Sequence, residues 1–238
     1  MNTYKKTIGR HTFEAKPSPT QSLSFEATGH TYAQNGLTFK DEDSRVLGLI
    51  DRDNRFTNLA HLLSDQCPHG THAAFFNGSS TTIFREREDF NGSLLAQFED
   101  VFRWINGFNK TRSEFFELKR IDTRDYPVEA IRLALMNAFV RRDFSMTVPI
   151  FVRIFDDRIE MVSYTGSGLD MPADDVGAHV TVHQNPKLAK VFAHVFSTEI
   201  DEDWMDKLRA CYQKTYRQPS VDVSTNAIRI TLPNVNPW

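Results

Sequence analysis

Residues 127–140, PVEAIRLALMNAFV, leave this chain few ways to fold. Glu129 and Arg132 are the only charged side chains in the stretch, and a helix that apolar must be covered around most of its circumference. Pro127 suits the first turn, because its missing N–H would have no partner there in any case. Two short segments follow at 149–155 and 158–163, rich in β-branched and aromatic residues and joined by Asp156-Asp157, which reads as a hairpin. Beyond them come the loop YTGSG, a helix in NPKLAKVFAHVF with Asn185 as cap and Pro186 at its first position, a helix over 202–216, and a closing strand over 228–232. A buried helix, a hairpin, two more helices and a last strand specify an α+β sandwich, with helices on one face of a mostly antiparallel sheet.

The first half is patterned more weakly. Residues 1–20 are polar, contain Pro17 and Pro19, and show no apolar period, so an N-terminal arm is expected, loosely ordered or docked on another subunit to about residue 16. Helices are expected at 22–34, at 41–49 with Asp41 as cap, and at 57–65, where Leu59, Leu62 and Leu63 share a face. A strand at 72–77 with a partner at 81–85 precedes the clearest amphipathic helix, 93–106, whose Leu94, Leu95, Phe98, Val101, Phe102 and Ile105 recur at three and four. Residues 115–121 alternate as a strand. The division expected is an arm at 1–20, a helical and short-strand subdomain at 21–122, and the α+β domain at 123–238.

Charge and cysteine usage narrow the function. A net charge of −3 with a pI near 6.2 argues against a dominant nucleic-acid surface, although Lys110, Arg112, Lys119 and Arg120, with Arg141 and Arg142, form local basic sets. The N-terminus has no apolar signal segment and no run is long enough to span a bilayer, so a cytoplasmic protein with no membrane partner is expected. Cys67 and Cys211 read as reduced thiols. Cys67-Pro-His69-Gly-Thr-His72 and His179-Val-Thr-Val-His183 lack standard zinc spacing, and no structural metal is expected. Phosphate-loop, nucleophile-elbow and Cys-x-x-Cys motifs are absent.

From about residue 13 to 233 the order of several segments resembles a known family. PSPTQSLSF, LGLID, TNLAHLLSDQ, GSLLAQFED, the helix carrying Pro127, Glu129, Arg132 and Asn137 and ending Arg141-Arg142-Asp143-Phe144, the hairpin DDRIE, and NPKLAKVF all look like signatures of the C-terminal half of bacterial AlbA-type transcriptional regulators related to the RecG C-terminal region. The resemblance implies a GHKL (Bergerat) fold. It also implies a nucleotide site in which Asn137 helps hold Mg²⁺ of Mg-ATP, with Arg141, Arg142, Asp143, Gly166 and Gly168 around the nucleotide. DNA would be contacted through domains not recognised in this chain, which reads as a piece of a longer gene product or a trimmed relative; a protein partner or a homodimer is also allowed.

The ATPase motifs of that family are eroded here. Its general base lies four residues before the asparagine, on the same helical face, but position 133 is leucine. Glu129 lies two turns from Asn137, about 12 Å along the axis. The adenine-reading carboxylate of Asp-x-Gly-x-Gly is replaced in Tyr164-Thr165-Gly166-Ser167-Gly168, and the glycine-rich lid is replaced by an acidic run containing Glu199, Asp201, Glu202 and Asp203. The expected function is therefore a regulator-type or interaction protein with a degenerate ATP site and no catalytic residue assigned; the alternative is an active ATPase module of a RecG-related, DNA-associated protein. Local readings stay open beside these: Asn137 as a buried amide bonded to backbone, Gly166 and Gly168 as a turn, Arg141-Arg142 as dipole-complementing charges on a solvated face.

Overall fold

A computed structural model describes residues 13–40, 42–166, 185–198 and 203–236. In chain order the elements are α1 (Glu26–Gln34), α2 (Asp43–Val46), α3 (Asn58–Leu63), β1 (Thr71–Phe76), β2 (Phe84–Phe90), α4 (Leu94–Phe108), β3 (Thr111–Phe116), β4 (Lys119–Arg124), α5 (Val128–Val140), β5 (Ile150–Ile154), β6 (Arg158–Tyr164), α6 (Pro186–Phe196), α7 (Trp204–Ala210), β7 (Ser220–Val223) and β8 (Ala227–Pro233). Six strands form one sheet in the order β2-β1-β5-β6-β8-β7, and β3 with β4 forms a separate ribbon. Every pairing is antiparallel except β1 with β5. That parallel pair needs a long crossover, which α4, the ribbon and α5 supply. The architecture is mixed α+β with a mostly antiparallel sheet. A boundary after residue 122 would cut this sheet, because β1 pairs with β5. Among the described residues no helix is long and apolar enough to cross a membrane.

The apolar stripe of α4 is buried at Leu94, Leu95, Phe98, Val101 and Ile105 and partly at Phe102, and Phe98 at its centre meets the rings of Phe139 on α5 and Phe192 and Phe196 on α6 at 5.9, 5.5 and 4.5 Å between centroids. Ten side chains of α5, all of those from 130 to 140 except Arg132, are buried. Helices α4 and α5 lie side by side over the sheet, α4 against β1 and β2, α5 against β6 and β8. The core therefore sits where three helices share aromatic contacts above the strands.

Several helix ends are set by distant residues. Helix α1 begins at Glu26, later than expected, because the Asp65 carboxylate accepts from the backbone N–H groups of Glu26 and Ala27 at 2.9 Å each. Asn185 holds the position before α6 but makes no side-chain cap there; its amide instead donates to the carbonyls of Val140 at 3.0 Å and Arg142 at 2.7 Å, closing the end of α5. The cap of α6 comes from the opposite end of the chain. Glu14, in a short 3-10 turn at Phe13–Ala15, is fully buried and accepts from the N–H groups of Lys187 at 2.7 Å and Leu188 at 3.0 Å. The expectation of a loose segment to about residue 16 is thus corrected for residues 13–16: an ionisable side chain that completes a helix terminus anchors them. Residues 1–12 and Asp41 lie outside the described residues.

The expected strand at 115–121 is instead the tip of a hairpin. Glu117 turns the chain with φ 56 and Phe116 pairs with Lys119. No glycine marks this turn, so period-2 alternation runs straight through it. The helix expected at 202–216 stops at Ala210, after which Tyr212 buries its ring and donates its hydroxyl to Pro233 O at 3.2 Å.

Candidate functional site

Helix α5 presents Leu133, Asn137 and Arg141 along one face, since residues four apart stack above one another. All three are buried; Asn137 is 2% exposed and Arg141 3%. The Asn137 amide donates to Leu133 O at 2.8 Å, and its Oδ1 accepts from Arg141 Nε at 2.9 Å. That matches the reading of Asn137 as a buried amide bonded to backbone, with an added partner one turn on. Arg141 then lays its guanidinium over the ring of Trp204, 5.4 Å from the centroid. Trp204 opens α7, and α7 packs against α5. Within the described residues, Arg141 Nη2 is buried with no hydrogen-bond partner. Burial pulls the Arg141 guanidinium down to about 10, so it stays a cation at neutral pH.

Arg142 points elsewhere. It is fully buried and binds the start of β1: Nη1 donates to Gly70 O at 3.3 Å and Nη2 to His69 Nδ1 at 3.1 Å, while its plane covers Phe144 at 5.0 Å. Neither arginine lies on a solvated face, which corrects that reading; an apolar helix end inside the core leaves dipole-complementing charges nowhere to reach water. The segment considered for zinc is the receptor for Arg142. His69 is pushed down to about 4 by burial first and by the neighbouring guanidinium second, so its ring is neutral at neutral pH with Nδ1 taken by Arg142, and burial raises the Cys67 thiol to about 12, so Cys67 is not a nucleophile there. His72 pairs with Asp89 on the open side of the sheet. No metal-ligand cluster occurs among the described residues; His179 and His183 lie outside them.

Asp143 joins the end of α5 to the loop after β6. Its N–H donates to Tyr164 O at 2.8 Å and its Oδ1 accepts from Ser145 N at 2.8 Å. Gly166 has φ +75, a conformation that favours glycine, and a Cβ there would stand 2.5 Å from Asp143 Oδ2 and displace that carboxylate. Ser167, Gly168 and the acidic residues Glu199, Asp201 and Glu202 lie outside the described residues. Glu129 lies near Cys211 at the far end of α7 and contributes to raising that thiol, after burial.

These residues do not fit a Mg²⁺ ion at Asn137. The one side-chain oxygen that could ligate it already accepts from Arg141, and a divalent cation there would stand against a buried positive charge. Sequence reasoning missed Trp204 and Glu14, whose roles depend on contacts across the fold. A tryptophan directly after an acidic run was the available signal for the first.

No family model matches the chain, and no curated protein matches it. In three dimensions it is similar to the crystal structure of the DIP2311 protein from Corynebacterium diphtheriae, with a TM-score of 0.80 and 18% sequence identity, covering 94% of this chain and 48% of that one. At that identity the likeness shows the fold alone, and this chain spans about half the length of the solved protein.

Proposed function

We propose that this chain is a regulator-type or interaction protein whose GHKL-like, RecG-related domain keeps the frame of a nucleotide site without its hydrolytic chemistry. The order of motifs along the sequence supports the family reading. One observation carries the loss of hydrolysis: the face of α5 that would serve Mg-ATP is occupied by Leu133 at the general-base position, by Asn137 bonded within its own helix, and by Arg141 under Trp204. Turnover of Mg-ATP by the chain should equal that of Asn137→Ala. A steady-state rate that disappears in Asn137→Ala would refute the reading.

Among the described residues Arg141 Nη2 and Arg142 Nε are buried without a partner, and these two adjacent guanidinium groups favour a second reading, a site that senses an anionic ligand without a metal. Here ADP or ATP with a chelator present should raise the melting temperature of the parent and leave Arg141→Lys unmoved. Equal shifts in the two would remove Arg141 from the site.

A further inference from the structure

Among the described residues the ribbon β3–β4 has no strand neighbour in the main sheet. Isolated two-stranded hairpins are marginal in water and usually need a covering partner. This one projects apolar side chains instead: Leu118 at its turn is 103% exposed, Phe115 75%, and Ile121 is half-exposed. The turn residue Glu117 is held in the left-handed region, where a non-glycine residue is disfavoured. Between 110 and 124 basic residues outnumber acidic ones, in a chain whose net charge is −3.

A surface of opposite character lies at the foot of this ribbon. Between α4 and the edge strand β2 runs a groove of about 630 Å³. Its floor is aromatic: Trp104 stands 6.5 Å from Phe90 and 4.8 Å from Phe108, centroid to centroid. Its rim carries Glu86, Glu88, Asp89 and Asp100; Asp100 is paired with Arg103 at 2.7 Å and Asp89 with Arg87 at 3.2 Å, which leaves the rim acidic through Glu86 and Glu88. Glu86 holds the Trp104 indole N–H at 3.3 Å, fixing the ring as part of the floor.

We infer that the β3–β4 ribbon of one copy of this chain seats in the acidic, aromatic groove between α4 and β2 of a second copy, forming a twofold dimer. The groove ends at Phe108 and the ribbon begins at Thr111, so donor and acceptor surfaces are adjacent and a twofold axis can satisfy both at once, as a closed isologous contact requires. Phe115 and Leu118 supply apolar anchors for the aromatic floor, and Arg120, paired across the ribbon with Phe115 and so on its face, meets the carboxylates of the rim in place of Asp122, with Lys119 beside the turn adding positive charge. Duplex DNA is a poorer occupant. Phosphates would leave the exposed apolar side chains of the ribbon uncovered.

Sedimentation equilibrium of the full chain over micromolar concentrations, at low and high salt, tests this. The parent should dimerise, more weakly in salt; Phe115→Asp/Leu118→Asp should be monomeric with an unchanged melting temperature, since both side chains already face solvent. Lys119→Glu/Arg120→Glu should dissociate at least about tenfold more readily. Adding a copy carrying Glu88→Lys and Asp100→Lys should recover a mixed dimer. A parent that stays monomeric at high concentration, a dimer indifferent to all these changes, or a monomer whose binding to duplex DNA is salt-steep and lost in Lys119→Glu would each overturn the inference. Mg-ATP turnover is not involved in any arm, so this inference and the proposed function can fail separately.

Discussion

Protonation of His69 should destabilise this protein sharply, and the structure gives the size of the effect. The ring is buried, 4% exposed, and lies edge-on to Phe144 with centroids 5.1 Å apart. Its Nδ1 must be unprotonated to accept from Arg142 Nη2 at 3.1 Å. Burial disfavours a second proton most strongly, and the cationic or titratable groups that reach the ring, Arg142 first and then His61, add to it. The folded value of about 4 stands below the ordinary 6.5. In the interval between them the unfolded chain binds a proton that the folded chain refuses. This contribution to stability is therefore complete above about pH 6.5 and is lost as pH falls toward 4. Each tenfold difference in proton affinity between the two states is about 1.4 kcal/mol, so the loss between pH 7 and pH 4 is on the order of 3 kcal/mol. His69→Gln keeps an acceptor for Arg142 and removes the titration, at a cost near pH 7 of about 1 kcal/mol for the missing ring contact. Urea unfolding of both proteins at half-unit steps of pH isolates the effect, because other carboxylates and histidines titrate alike in the two. The parent's advantage should shrink as pH falls and then reverse. A difference that stays flat from pH 7 to pH 4 would show that the ring takes a proton freely, and the Arg142 contact would then be misassigned.

Glu14→Ala should cost about 2–4 kcal/mol, since it leaves two N–H groups at the start of α6 without their carboxylate acceptor. In a chain this long that is a fall of roughly 6–12 °C in melting temperature, with early proteolysis near Lys16; an unchanged melting curve would mean the arm is not anchored by this residue. Leu133→Glu should lose about 2–4 kcal/mol by burying a carboxyl beside the core and should restore no hydrolysis, because Asn137 remains bonded to Arg141. Equal stability together with Mg-ATP turnover in that variant would overturn the account of the α5 face.

Elements were legible where a side-chain period met a large apolar surface. Helices α4 and α6 announce themselves in Leu94–Phe98–Val101–Ile105 and in Leu188–Val191–Phe192–Val195, and both bury those positions. The hairpin β5–β6 was equally plain, because its strands cross the middle of the sheet and its turn is Asp156-Asp157. Strand β7 was missed: SVDV is short, sits at the sheet edge and buries none of its side chains fully. The β3–β4 turn was missed because Glu117 occupies a left-handed conformation that composition associates with glycine or asparagine.

The candidate site divides along the same physical line. What the amino-acid order determines is which side chains share a face of α5, and Leu133, Asn137 and Arg141 do share one. What covers that face is decided by α7, far along the chain, whose Trp204 gives Arg141 an aromatic partner. The same helix end turns Arg142 inward to a histidine and a carbonyl near residue 70. Two adjacent arginines are indistinguishable in sequence, yet successive residues on a helix diverge by about 100°, so one stacks on Trp204 and the other pins β1 to the core. A buried guanidinium with acceptors and aromatic faces but few carboxylates is costly to keep charged. Arg142 offsets that cost with His69, Gly70 and Phe144. Arg141 has Asn137 Oδ1 and Trp204, and an Nη2 that is still without a partner among the described residues. Among those residues Arg142 keeps an unpartnered atom as well, its Nε, so what separates the two is their surroundings: Arg142 is held by a histidine and a carbonyl beside β1, and Arg141 by Asn137 and Trp204.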